Sequence, residues 1–335
     1  MSDKKHSLTG TIISSILALL VVSAGLWLFF NRAYAQDQLS VWGYDPPANV
    51  VELGEDIGLT AKGRFYFYAS SPQINGATEF NANCPQREVN NPILGCYSSK
   101  KIYVYDVTED DLEGIKEVTA AHEMLHAVWE RHSEDERERI GALLKTAYNN
   151  LHDQALETRM AYYERNEPGE YLNELHSIIG TEASSIGDEL EAYYDDYFQD
   201  RKKIVAFHDQ YDSIFTELRA EYEALYGDLN TLGDEITSDR ARYEATSSQL
   251  GADIDSFNER ANNGSFSSTT AFYNERNSLT ARSNQLEGDR AQLNAKIASY
   301  NQKYEHYQTL ASRIQQLNSS IDSMADVDDA PRISD

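Results

Sequence analysis

Cysteine is nearly missing from this chain: Cys84 and Cys96 are the two in 335 residues. No further cysteine or histidine flanks them, so they make a poor metal site by themselves. In an exported chain two thiols this close read as one disulfide closing a local loop, the alternative being a pair of free buried thiols. Basic side chains are scarce as well, 29 Lys and Arg against 55 Asp and Glu, for a formal charge of −26. Such a surface repels phosphate backbones, and no nucleic-acid partner is expected. Only 7 prolines stand beside 22 tyrosines.

Charge is missing altogether from residues 8–30, LTGTIISSILALLVVSAGLWLFF, a run long enough to cross a bilayer as a helix. Lys4 and Lys5 precede it and Arg32 follows. That asymmetry predicts a short cytoplasmic tail (1–7), a signal-anchor in the lipid bilayer (8–30) and a single-pass protein with its C-terminal ectodomain outside the cytoplasm. Ala33-Tyr34-Ala35 also fits a small-x-small cleavage site, which would release a secreted chain after Ala35. Either route exports the remainder.

Residues 31–60, with Pro46-Pro47 and Gly54, read as a linker. RFYFYAS (64–70) and KIYVYDV (101–107) are aromatic and β-branched, and both are expected as strands. The intervening NCPQREVNNPILGC reads as a loop. From about Asp111 the period becomes helical: Val118, Ala121, His122, Leu125, Val128 and Trp129 share one face. Ser133 and Glu136 form a capping-box pattern for a second helix, HDQALETRMAYYERN reads as a third, and EYLNELHSII as a short fourth ended by Gly180.

Beyond residue 205, Phe215, Tyr222, Leu229, Ile236, Tyr243, Leu250 and Phe257 recur every seven residues. After the turn signal Asn262-Asn263-Gly264-Ser265 a second ladder runs Leu279, Leu286, Leu293, Tyr300, Tyr307, Ile314 and Ile321. Leu218, Leu225 and Leu232 add a second seam position in the first arm, and Ile297, Tyr304 and Ala311 in the second. The expectation is an antiparallel coiled-coil hairpin over 206–325, with polar interruptions at Asp239 and Thr246 and a capacity for self-association. Residues 326–335 are expected to be disordered.

The chemistry sits in VTAAHEMLHAVWE (118–130). Positions i and i+4 share a helix face, so His122 and His126 can present imidazoles to one ion. Glu123 is rotated about 100° from His122, beside that ion, where it can move a proton to and from water. HEMLH resembles the HExxH signature of the zincin zinc metallopeptidases, a likeness that extends over roughly residues 61–205. The resemblance implies an α+β zincin-like domain, a bound Zn2+, a peptide or protein substrate, and Glu123 as general base. It also implies that the strand before the helix pairs with extended substrate through its exposed edge. No HxxGxxH continuation follows His126, so the pattern is similar to gluzincins, in which a later helix supplies a glutamate as third ligand. The layout of GCY, HEMLH and NELHSIIGTE also resembles bacterial membrane-anchored proteins.

For that third ligand, NELHSIIGTE offers Glu174, then Glu182, then His176. Glu174 lies at one border of the apolar face of its helix, as a carboxylate reaching a metal should. Where gluzincins carry a buttressing acid four residues later, this chain has Ile178. Glu182 follows Gly180-Thr181, where a tight turn could aim it inward. His176 could instead donate to the oxyanion of the transition state. The tyrosines at 162, 163, 193 and 194 read as core residues, and His132 and His152 as structural or exposed. Two functions remain open at this stage: an extracytoplasmic zinc peptidase, or an envelope adaptor whose coiled coil is the working part and whose zinc site is structural.

Overall fold

A computed structural model of the chain describes residues 3–85 and 92–324. It is mostly helical, with one small mixed sheet, and divides into two compact units, residues 1–214 with 317–335, and residues 215–316. The expected tail 326–335 lies outside the described residues, as does much of the loop between the cysteines.

The first unit begins with α1 (Asp3–Phe30), which contains the one helix stretch among the described residues long and apolar enough to cross a membrane, Ile12–Phe30. The segment expected as a linker is folded. It forms α2 (Arg32–Gly43) and α3 (Ala48–Asp56), parted by Pro46-Pro47, and Val50, Leu53, Ile57 and Leu59 enter the core. Gly54 does not break α3; it is buried there. Asp37 of α2 takes a forked pair of 2.8 Å bonds from Arg131.

RFYFYAS is helical rather than extended. Thr60 caps α4 (Ala61–Ala69), its hydroxyl accepting from the Gly63 N–H at 3.0 Å. Gly63, Phe67 and Ser70 are buried at helical spacing, and a Cβ on Gly63 would lie 2.2 Å from the Tyr197 carbonyl oxygen. The β preference of the aromatics is a weak term, and tertiary packing overrides it.

KIYVYDV does supply a strand. In the sheet, β3 (Lys101–Tyr105) is central, with β1 (Gln73–Asn75) parallel on one side and β2 (Gly95–Ser98) antiparallel on the other. Both edges of β3 are therefore paired, and the exposed edge expected of it belongs to its neighbours. Helix α5 (Ala77–Asn83) follows β1, and Cys84 and Cys96 form a disulfide with a Cα separation of 5.9 Å.

Helix α6 (Ile115–Arg131) carries HEMLH across the sheet and is mostly buried. The predicted capping box closes the start of α7 (Glu134–Leu151), with Ser133 and Glu136 bonded reciprocally. Asp153 caps α8 (Gln154–Asn166). Helix α9 (Tyr171–Glu182) runs two residues past Gly180, which is no stop signal. A Cβ at Gly180 would stand 2.4 Å from Leu125 Cδ1 and 2.8 Å from Tyr194 Cε1. The glycine is there so that α9 can approach α6. After α10 (Asp188–Tyr194), Arg201 opens α11 (Arg201–Asn262) and bonds the Ile179 and Ala183 carbonyls, closing the C-terminus of α9 while Glu191 neutralises it. Ser323 and Asn81 exchange hydrogen bonds of 2.7 and 2.8 Å, tying residue 323 to α5.

The second unit contains the paired arms of α11 and α12 (Thr269–Ile321), joined through a turn with Gly264 at φ +69°. Leu225, Leu229, Leu250, Phe257, Leu279 and Leu293 are buried as the heptads require. Two expected seam positions differ: Tyr304 is 44% exposed while Leu310 is buried, and Thr246 is exposed. Asp239 is not a defect in the seam: Lys296 of the opposite arm bonds it at 2.8 Å.

Gly180→Ala separates the two roles of that glycine. A helix-ending or exposed position would tolerate the change or gain slightly. The contacts here predict a loss of about 1–3 kcal/mol in urea unfolding, because Leu125 and Tyr194 must move.

Candidate metal centre

His122, Glu123 and His126 place one donor atom each within 4.8 Å of one another and could hold a metal ion. Glu174 comes to them from α9. Its Oε2 lies 3.7 Å from His122 Nε2 and its Oε1 3.7 Å from His126 Nε2, so one carboxylate faces both imidazoles. Donors around a tetrahedral zinc at ordinary bond lengths stand roughly 3.3 Å apart, so a small contraction would complete a three-ligand set. The residues present fit such an ion.

The neighbouring contacts orient these groups. His126 Nδ1 lies 2.9 Å from Asn173 Oδ1, an acceptor-only oxygen, so Nδ1 donates to it and Nε2 is the nitrogen turned toward Glu174. Asn173 in turn donates to Glu170 at 2.9 Å, and Ser177 Oγ stands 3.3 Å from the same imidazole nitrogen. Glu170, one turn before Glu174, and Asn173, the residue just before it, thus orient His126 where Ile178 offers no polar group. Tyr163 of α8 hydrogen-bonds Glu174. Burial would raise the Glu174 pKa, but His126, His122 and Tyr163 outweigh it and hold the carboxyl at about 2. Burial acts to lower His122, yet the carboxylates of Glu174, Glu123 and Glu182 raise it above its ordinary value.

Glu123 is 6% exposed, and burial raises its pKa against the opposing pull of the two histidines. Strand β2 passes directly over it. A Cβ on Gly95 would lie 2.8 Å from Glu123 Oε1 and 2.6 Å from Thr119 Cγ2, so only glycine permits this approach. The Tyr97 backbone N–H of the same strand also faces the Glu123 carboxylate.

Two expected site residues sit elsewhere. His176 is fully buried, with Nε2 2.7 Å from the Tyr193 hydroxyl and Nδ1 toward the Leu125 carbonyl without a well-aligned bond. Burial lowers its pKa well below the usual value and keeps it neutral. A side chain closed off in this way cannot reach an oxyanion; it packs α9 against α6 and α10. Glu182 lies in the last turn of α9 and is engaged by Arg159 of α8 and by His208 Nε2 at 3.5 Å. The expected tight turn before it is absent because the helix continues through Gly180. Asn173 and Tyr163 had no local signal in the sequence, since their roles arise only when α6, α8 and α9 are packed together.

Comparison with protein-family models, curated proteins and solved structures finds no match to this chain.

The arrangement predicts that Glu174→Ala abolishes stoichiometric zinc binding in equilibrium dialysis, whereas Glu182→Ala retains it. Asn173→Leu leaves His126 free to rotate and should weaken zinc affinity about 10–100-fold in chelator competition.

Proposed function

We propose that this chain is a membrane-anchored zinc peptidase of gluzincin-like arrangement, with its site on the far side of the membrane from the N-terminus. The observation that carries the reading is Glu123. A structural metal site does not need a buried carboxylate beside its ligands, raised in pKa and set under a strand edge. His122, His126 and Glu174 would hold the ion. Once bound, zinc supplies a Lewis acid for the scissile carbonyl and acidifies the attacking water.

The remaining work falls to the chain. Glu123 takes the proton from the water as it attacks and delivers it to the departing amine. Asn173 and Tyr163 keep His126 and Glu174 in place through the reaction. The edge of β2 beside Glu123 offers main-chain groups to an extended peptide, a pairing that would lay the backbone across the site. The likeness to zincins noted in the sequence agrees with this use of the site. The span Ile12–Phe30, preceded by Lys4 and Lys5, supports the orientation.

Glu123→Gln should reduce peptide hydrolysis by about 10²–10⁴-fold while zinc stays bound. Burial pushes the Glu123 carboxyl up from the usual carboxylate range, and a base that must be ionised gives kcat/KM an acid limb. Activity is lost as pH drops through the limb, where Glu123 becomes protonated. Persisting turnover in Glu123→Gln would remove this residue from the reaction.

A further inference from the structure

Beyond the metal centre, α8 carries a cation whose position has a use. Arg159 lies one helical turn before Tyr163, the residue bonded to Glu174, so it sits about 5 Å further along the same helix. Its Nη2 donates to Glu182 Oε2, and His208 Nε2 approaches that same oxygen at 3.5 Å. The pair is asymmetric: the Arg159 side chain is 43% exposed and that of Glu182 17%. The accessible member of an ion pair is the one that presents its charge. Among the described residues Glu182 takes one Arg159 donor, and a guanidinium has five. Glu182 therefore orients Arg159 and leaves donors for another oxygen ligand.

We propose that Arg159 is a substrate-binding residue that captures a carboxylate of the peptide, with Glu182 positioning it. The inference rests on the peptidase reading. The geometry points to a peptide's C-terminal carboxylate as the group captured, and the same donors would also accept an Asp or Glu side chain at that place. With Glu174 and Glu123 offsetting the charge of a zinc ion and Glu182 offsetting Arg159, the site is close to neutral in a chain of net charge −26. That local contrast would select the carboxylate.

The test uses full-length protein in detergent, zinc-loaded, carrying Glu123→Gln so that binding is read without turnover. N-acetyl tripeptide pools, randomised at all positions, are offered as free acids and as amides, and retained peptides are identified by mass spectrometry. The proposal expects at least a tenfold preference for free acids. It expects that preference to fall to about one in Arg159→Gln and to survive in part in Arg159→Lys. The double variant Arg159→Gln with Glu182→Gln removes both charges of the pair and must lose the preference too, which guards against a misfolded single variant. A preference confined to pools with Asp or Glu, and equal for acids and amides, assigns the subsite to a side chain instead of the terminus. A preference that persists in Arg159→Gln places the carboxylate on the metal and overturns the proposal, as does no preference at all. In parallel, the chain with Glu123 intact is assayed for cleavage of the same pools. Selective binding without cleavage would sink the peptidase reading and keep the subsite; cleavage indifferent to the carboxylate would do the reverse.

Discussion

The approach of α9 to α6 governs the site, and a missing side chain makes it attainable. At Gly180 there is no room for a Cβ between Leu125 and Tyr194. With the two helices at this separation, Glu174 faces His122 and His126 together, and Asn173 and Ser177 reach the far nitrogen of His126. A slightly wider spacing would separate carboxylate from imidazoles and leave three unrelated polar groups in a mostly apolar interface. Arg201, buried at the end of α9, holds that spacing from below through the Ile179 and Ala183 carbonyls.

A second close approach works from the sheet side. Gly95 lets β2 lie against Glu123 and Thr119. Glu123 is thereby enclosed between a helix and a strand, and burial shifts it toward the protonated form. A carboxylate poised in this way accepts a proton more readily than a solvated one. Two glycines, one on each side of α6, thus set separately the approach of Glu174 to the histidines and the enclosure of Glu123.

The local placement of the HEMLH side chains was legible in the sequence. HEMLH needs only a helix to place its groups, and the capping box of Ser133 and Glu136 is equally local. Glu174 could be ranked first because a border position on an amphipathic helix is also local information. The misreadings share one cause. Gly180 looks like a helix end, and it is a packing contact; with that error the turn before Glu182 was expected and does not form. RFYFYAS looks like a strand until Tyr197 is brought against Gly63. Residues 31–60 look like a linker because Pro46-Pro47 and Gly54 suggest interruption, yet four apolar side chains of that stretch are core. Asn173, Tyr163 and Arg159 were invisible because each acts across a helix boundary.

The most direct measurement is zinc-edge X-ray absorption on the full-length chain loaded with one equivalent of Zn2+. The account predicts a mixed shell of two imidazole nitrogens and light oxygen donors, all near about 2.0–2.2 Å. Glu174→Ala should change the oxygen part of that shell and leave the imidazole scattering in place. A shell without two imidazoles, or one indifferent to Glu174, would contradict the metal centre on which the rest depends.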